Sequence, residues 1–155
     1  LTMVSNMELE KEIKQKSFNS EYHKLIVNIL FTGNWIHANH SQALKPFGLS
    51  LQQFNVLRIL RGQHPNPCTV NLIVDRMLDK SSNASRIIDR LLTKELVKRE
   101  QCAKDRRAVD VLITDTGLAL LSEIDDKLES LEDRFHSLDE DEAHTLNILL
   151  DKLRD

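Results

Sequence analysis

The sequence predicts a mostly α-helical chain carrying one small β-hairpin. Three observations predict it. Apolar residues recur at helical spacing along most of the chain. Two short stretches, Val97–Gln101 and Val109–Ile113, read instead as strands, the second with strict alternation, and a polar tip separates them. Four Gly and three Pro in 155 residues leave little room for long loops. A helix, a turn, a second helix and a basic-tipped hairpin, in that order, make a winged helix-turn-helix, here flanked by N- and C-terminal helices.

Residues 1–19 are polar and mixed in charge, and are expected to form a flexible N-terminal segment leading into a helix. One long helix should run from Ser20 to Lys45, closed by Pro46 and Gly48. It is apolar on two faces: Leu25, Ile26, Ile29, Leu30 and Ile36 form one, and Val27, Phe31, Trp35 and Ala38 the other. A helix apolar nearly all round needs cover on both sides. The next helix opens at Ser50, which makes a capping box with Gln53, while Leu49 can staple onto Phe54. Phe54, Leu57, Ile59 and Leu60 are its buried side, and Gly62 with the run Gln63 to Pro67 ends it. Thr69 caps a short helix from Val70 to Met77. A turn around Leu78 to Ser81 then leads into an amphipathic helix from Ser82 to Lys94. Ala84, Ile87, Ile88, Leu91 and Leu92 lie on its inner side, and Ser82, Arg86, Asp89, Arg90 and Thr93 on its outer side. After the hairpin, Thr114 caps a helix to about His136, with a heptad seam of Leu121, Ile124, Leu128, Leu131, Phe135 and Leu138. Asp139 and Glu142 form a second capping box, opening a last helix to about Arg154. Residues 20–47 and 115–155 thus read as a helical dimerisation region around a winged helix-turn-helix of residues 48–114.

Charge points to the partner. From Arg76 to Arg107 there are ten Lys and Arg against five Asp and Glu, a local charge of +5 in a chain of net −3. The rest therefore sums to −8. Positive charge concentrated on one helix face and one hairpin tip suits a polyanion, and double-stranded DNA is the expected one. From Asp115 to Asp155 thirteen acids face four bases, so that part should point away from it. No segment is apolar enough to span a membrane, and nothing suggests export. Cys68 and Cys102 lie far apart in expected loops, with neither a disulfide framework nor zinc spacing, which fits the reducing cytoplasm. No phosphate loop, nucleophile motif or arguable carboxylate pair supports an enzyme, and no cofactor is expected.

These parts together resemble the MarR (multiple antibiotic resistance regulator) family of winged-helix transcription factors, from about Tyr22 to the C-terminus. The resemblance rests on Gly48-Leu49-Ser50-Leu51-Gln52-Gln53-Phe54, on the helix-turn-helix, and on Asp105-Arg106-Arg107 followed by Val109 to Thr114 and Gly117. It implies a homodimer with intertwined first and last helices, and two recognition helices set for a pseudo-palindromic operator. It implies that Arg107 enters the minor groove while Asp105 braces the wing. It also implies a site for a small aromatic or phenolic effector, for which Asn34, Trp35, His37 and Phe54 are candidates. One departure stands out: the family's usual Gly after the recognition helix is Glu95 here. A left-handed Glu95 would cost ~1 kcal/mol or more, and a different helix end would change the exit into the wing.

The expected function is that of a DNA-binding transcriptional regulator, a repressor relieved by a small aromatic ligand. Ser82, Asn83, Ser85, Arg86 and Arg90 should address the major groove, with Arg86 the candidate for a guanine and Asp89 orienting the arginines. Lys104 and Arg106 suit phosphates. His37 and His40 are three apart on one helix, but no Cys or acid at matching spacing joins them, so no metal is expected. Redox-sensing relatives carry their cysteine in the first helix, where this chain has none. The rival reading is a winged-helix protein-interaction module that has lost DNA binding, for which Glu95 is the one hint.

Overall fold

The computed structural model describes residues 8–101 and 109–155. It divides into two compact units, residues 1–40 and residues 41–155.

In the first unit, helix α1 is a single turn, Leu9–Glu12, and helix α2 spans Glu21–Leu44, its last residues belonging to the second unit. Glu10 forms an ion pair with Lys24, and the Phe18 and His23 rings meet edge to face at 5.5 Å. The expected apolar faces of α2 are present, yet Leu44 is its only buried residue. Tyr22, Leu25, Ile26 and Leu30 are exposed.

The second unit carries the helix-turn-helix. Past Leu44, a 3-10 turn at Lys45–Phe47 ends at Gly48, whose φ of 64° is left-handed. Helix α3, Leu51–Gln63, opens with both bonds of the Ser50–Gln53 capping box, at 3.2 and 3.1 Å. Leu49 and Phe54, the staple pair, are both buried. A two-residue strand β1, Cys68–Thr69, precedes helix α4, Val70–Arg76, and the Thr69 hydroxyl accepts from the Leu72 N–H as its cap. Helix α5, Ala84–Thr93, leads to strands β2, Val97–Gln101, and β3, Val109–Ile113. Helix α6, Asp115–Glu132, tightens into a 3-10 turn at Asp133–Ser137, and helix α7, Glu140–Lys152, closes the chain.

The strands form one antiparallel sheet in the order β1-β3-β2, with Val97 opposite Ile113 and Gln101 opposite Val109. Strand β1, read from the sequence as loop, pairs Cys68 with Val111 and Thr69 with Asp110. Two residues carry too little periodicity to announce a strand. The core gathers Leu57, Leu60, Ile73, Ile88, Leu91, Val111, Leu121 and Ile124, so α3 to α6 and the sheet share one interior. The Arg61 guanidinium forks onto the Asp125 carboxylate, tying α3 to α6 at its rim. The helix expected to reach His136 leaves α-geometry at Glu132, and Asp139 with Glu142 makes the expected capping box. Among the described residues, no helix is long and apolar enough to cross a membrane.

Candidate nucleic-acid interface

The turn between α4 and α5 is held by side chains at nearly every position. Met77 ends α4 with its side chain in the core. The Asn55 carbonyl on α3 accepts from the Leu78 N–H at 3.0 Å. Lys80 reaches back to the carbonyls of Val74 and Asp75 in the last turn of α4, where a cation suits the negative end of the helix. Asp79 accepts from the Ser81 N–H at 3.0 Å, from the Ser81 hydroxyl at 2.6 Å and from the Ser82 hydroxyl at 2.8 Å. The hydroxyls of Ser81 and Ser82, with the Ser81 N–H, hold the Asp79 carboxyl down at about 2.

Ser82 therefore belongs to the turn and not to the helix, which corrects the expected helix start. Asn83 is the N-cap: its side-chain carbonyl accepts from the Arg86 N–H at 3.0 Å. A cap has extended backbone and spends its side chain on the first turn, so Asn83 serves the helix before anything else. From there α5 divides sharply. Ala84, Ile88 and Leu91 are buried, and Ile87 and Leu92 pack against the core. Ser85, Arg86, Asp89 and Arg90 are exposed. Arg86 and Arg90 lie one turn apart, and neither meets a carboxylate among the described residues. A groove of about 320 Å³ runs between this face and the start of α3, lined by Ser50, Gln52, Gln53, Ser82, Asn83, Arg86, Ile87 and Arg90.

Asp89 does something other than expected. It pairs with Arg99 of β2 at 2.6 Å and so ties α5 to the wing strand, and among the described residues it pairs with neither Arg86 nor Arg90. The sequence carries no signal for that pair, because the two residues face each other only once the hairpin folds back. Beside it on β2, Lys98 pairs with Glu100 at 2.7 Å.

The exit into the wing keeps its usual form in spite of Glu95. Glu95 adopts a φ of 59°. Its N–H donates to the Leu92 carbonyl at 2.9 Å, and the Leu96 N–H to the Leu91 carbonyl at 3.1 Å. These are the two bonds of a Schellman stop, normally made with Gly in that position. The Thr114 hydroxyl donates to the Glu95 carbonyl at 2.8 Å and accepts from the Gly117 N–H at 3.1 Å, so one side chain fixes the stop and caps α6. Gly117 is required there, since a Cβ would lie 2.4 Å from the Leu96 carbonyl oxygen. Lys94 adds a tie to the other side, donating to the Gly48 carbonyl just before α3.

The wing tip, with Lys104, Asp105, Arg106 and Arg107, lies outside the described residues, as does Cys102. On β3 the expected inner face holds at Val111 and Ile113, which are buried, and departs from alternation only at the start of the strand, where Val109 is exposed and Asp110 is buried with one carboxylate oxygen unpartnered. Asp110 is on the central strand, flanked by Thr69 and Glu100. Cys68 is wholly buried in β1, not in a loop, and burial pushes its thiol up from 9.0. A buried thiol held in its neutral form is a poor nucleophile.

The candidate effector residues fall on two elements. Asn34, Trp35 and His37 are on α2 in the first unit, with Trp35 half-buried and the other two exposed. Phe54 is buried in the second unit's core, with the Arg58 guanidinium 5.8 Å from its ring centre. The Nδ1 of His40 is engaged by the Ile36 carbonyl at 2.9 Å. Among the described residues no three His, Cys, Asp or Glu gather as a metal site.

The MarR family model matches residues 47–108, the helix-turn-helix and wing. The transcriptional regulator MgrA of Staphylococcus aureus is 31% identical over 116 residues, covering 73% of this chain and 75% of MgrA. A MarR transcription factor from Planctomyces limnophilus superposes with a TM-score of 0.67 at 32% identity, over 87% of this chain and 98% of that one. BpsR of Bordetella bronchiseptica, whose DNA binding is regulated by 6-hydroxynicotinic acid, superposes with a TM-score of 0.70 at 28% identity, over 83% and 91%. With an exposed basic helix α5 on a winged helix-turn-helix, and relatives that are transcriptional regulators, the chain belongs to the MarR family of DNA-binding transcriptional regulators.

Proposed function

We propose that this regulator is a homodimeric repressor that binds a pseudo-palindromic operator and is released by a small aromatic or phenolic ligand. The observation that supports it most is the outward face of α5, where Arg86 and Arg90 stand exposed and without acidic partners among the described residues. Arg86 takes a guanine in the major groove, since a guanidinium bonds both acceptors of that base at once. Ser82, Asn83, Ser85 and Arg90 border that contact. Lys104 and Arg106 take phosphates, and Arg107, braced by Asp105, enters the minor groove. Residues 20–47 and 115–155 supply the dimer contacts, and residues 48–114 the DNA contacts. The exposed apolar residues of α2 and α7 support the dimer, and the effect of 6-hydroxynicotinic acid on BpsR supports an effector for this chain. Asn34, Trp35, His37 and Phe54 are its proposed contacts.

The experiment is fluorescence anisotropy with duplexes from the chain's own promoter at several salt concentrations. Specific binding with a steep negative salt slope is expected, and equal affinity for every duplex would refute the reading. Titrating phenolic acids against Trp35 fluorescence, with and without operator, tests control. Linkage requires operator DNA to weaken ligand binding by the factor with which ligand weakens DNA binding. A ligand whose affinity is indifferent to DNA would refute the regulatory part alone.

A further inference from the structure

The reading of α5 as the recognition helix leaves one group unexplained. A carboxylate, Asp79, stands exposed in the turn just before the helix, on the side meant for a polyanion. Its charge weakens attraction to DNA of every sequence. An ionised carboxylate only accepts hydrogen bonds, whereas a hydroxyl has one proton and two lone pairs. The Ser82 hydroxyl gives its proton to Asp79 Oδ2 at 2.8 Å, and the Ser81 hydroxyl gives its proton to Oδ1 at 2.6 Å. What Ser82 has left for a partner is lone pairs alone. Ser82 lines the groove that Arg86 and Arg90 also line.

We propose that Asp79 is a positioning residue for base selection: by taking the Ser82 proton it makes Ser82 an acceptor, which selects a base presenting an amino group in the major groove, adenine or cytosine. This rests on α5 being the recognition helix. A phosphate oxygen, a guanine or a thymine offers only acceptors there, and lone pair would meet lone pair. Arg86 and Ser82 then divide the work. The guanidinium donates to a guanine, and the hydroxyl accepts from an adenine or cytosine a step away. The same bonds hold the Asp79 carboxyl down from 3.8 to about 2, so the polarity of Ser82 persists further into acid than an ordinary carboxylate would allow.

Asp79→Asn tests this with a near-isosteric change. The amide donates to the Ser82 oxygen, which frees the Ser82 proton to point outward. Duplexes from a randomised library, carrying each base in turn at each half-site position, are compared by anisotropy at fixed salt. The wild type should prefer adenine or cytosine at one position by roughly fivefold to tenfold, the worth of about one hydrogen bond. Asp79→Asn should lose or invert that preference while binding random DNA more tightly. Ser82→Ala should abolish the preference without tightening random binding, and Ser82→Thr, which keeps the hydroxyl, should restore it. A merely structural Asp79 would lower affinity at all positions alike. Should Asp79→Asn fail to fold, Ser82→Ala decides, because the preference must vanish with the hydroxyl. Preferences that survive both substitutions overturn the proposal and leave the recognition helix standing. A wild type that binds no duplex overturns both.

Discussion

At the scale of single residues, Glu95 and Gly117 show how much one backbone position can demand. Both sit where α5, the wing and α6 converge, tied by the Thr114 hydroxyl. Glu95 holds a left-handed φ of 59°, which costs an L-residue ~1–2 kcal/mol and glycine almost nothing. Glu95→Gly should therefore raise stability by about 1 kcal/mol in urea unfolding, reduced somewhat by the extra freedom glycine has when unfolded. DNA affinity should stay the same, because the Schellman bonds already set the exit angle. Gly117→Ala should do the opposite. Its methyl would overlap the Leu96 carbonyl and the Ile113 side chain, at 2.4 and 2.7 Å, neither of which can move without shifting the sheet. A loss of about 1–3 kcal/mol is expected, and a Gly117→Ala chain as stable as wild type would refute that packing argument.

Cys68 gives a second test at this scale, through pH. Burial raises its thiol above the ordinary 9.0, so the proton is held more tightly folded than unfolded. The stability that follows is fully present below pH 9 and is lost as pH rises toward the folded value. Unfolding midpoints of wild type and Cys68→Ala should thus converge above pH 9. At pH 7, in a Cys102→Ser background, the folded Cys68 thiol should resist maleimide and react only in denaturant; rapid labelling of that native protein would show that β1 opens readily.

Elements were legible where a local rule governs them. The capping boxes at Ser50 and Asp139, the caps at Thr69 and Thr114, and both long wing strands followed from residues within a few positions of each other. What escaped was what depends on distant partners. Cys68 and Thr69 become a strand only because β3 lies beside them, and Asp89 chooses Arg99 over Arg86 only because β2 returns under α5. The start of α5 moved from Ser82 to Ala84 for a related reason: two serines in reach of Asp79 make a better turn than a helix. At this scale the wing and recognition helix should fail differently when altered. Arg86→Ala should cost about 1–3 kcal/mol per protomer and relax preference at one base. Arg107→Ala should weaken binding to all sequences and reduce the salt slope by about one unit per lost contact. Undiminished affinity and slope in Arg107→Ala would mean that the wing stays out of the minor groove.

For the whole molecule, the apolar surface left open is the main fact. On α7 and at its C-cap, Leu146, Leu149 and Leu153 are 46, 56 and 57% exposed and, at spacings of three and four, lie on one stripe. On the first unit's helix, Ile26 and Leu30 are 59 and 62% exposed, again one turn apart. Burying one such side chain from full exposure contributes about 1.5–3 kcal/mol, and these five are already about half covered, so a second chain over them would contribute roughly 4–8 kcal/mol, comparable with the whole stability of a small domain. We expect a dimer at micromolar concentration, with unfolding midpoints that rise with protein concentration. Leu149→Asp with Leu153→Asp is the sharper disruption, because neither residue belongs to the core of α3 to α6, whereas Leu128 packs against it. The double variant should keep the winged helix folded, lose the dimer in light scattering, and bind a full operator little better than a half-site. A wild-type chain that is a well-folded monomer at those concentrations would remove the dimer, and with it the reason for expecting a two-fold operator.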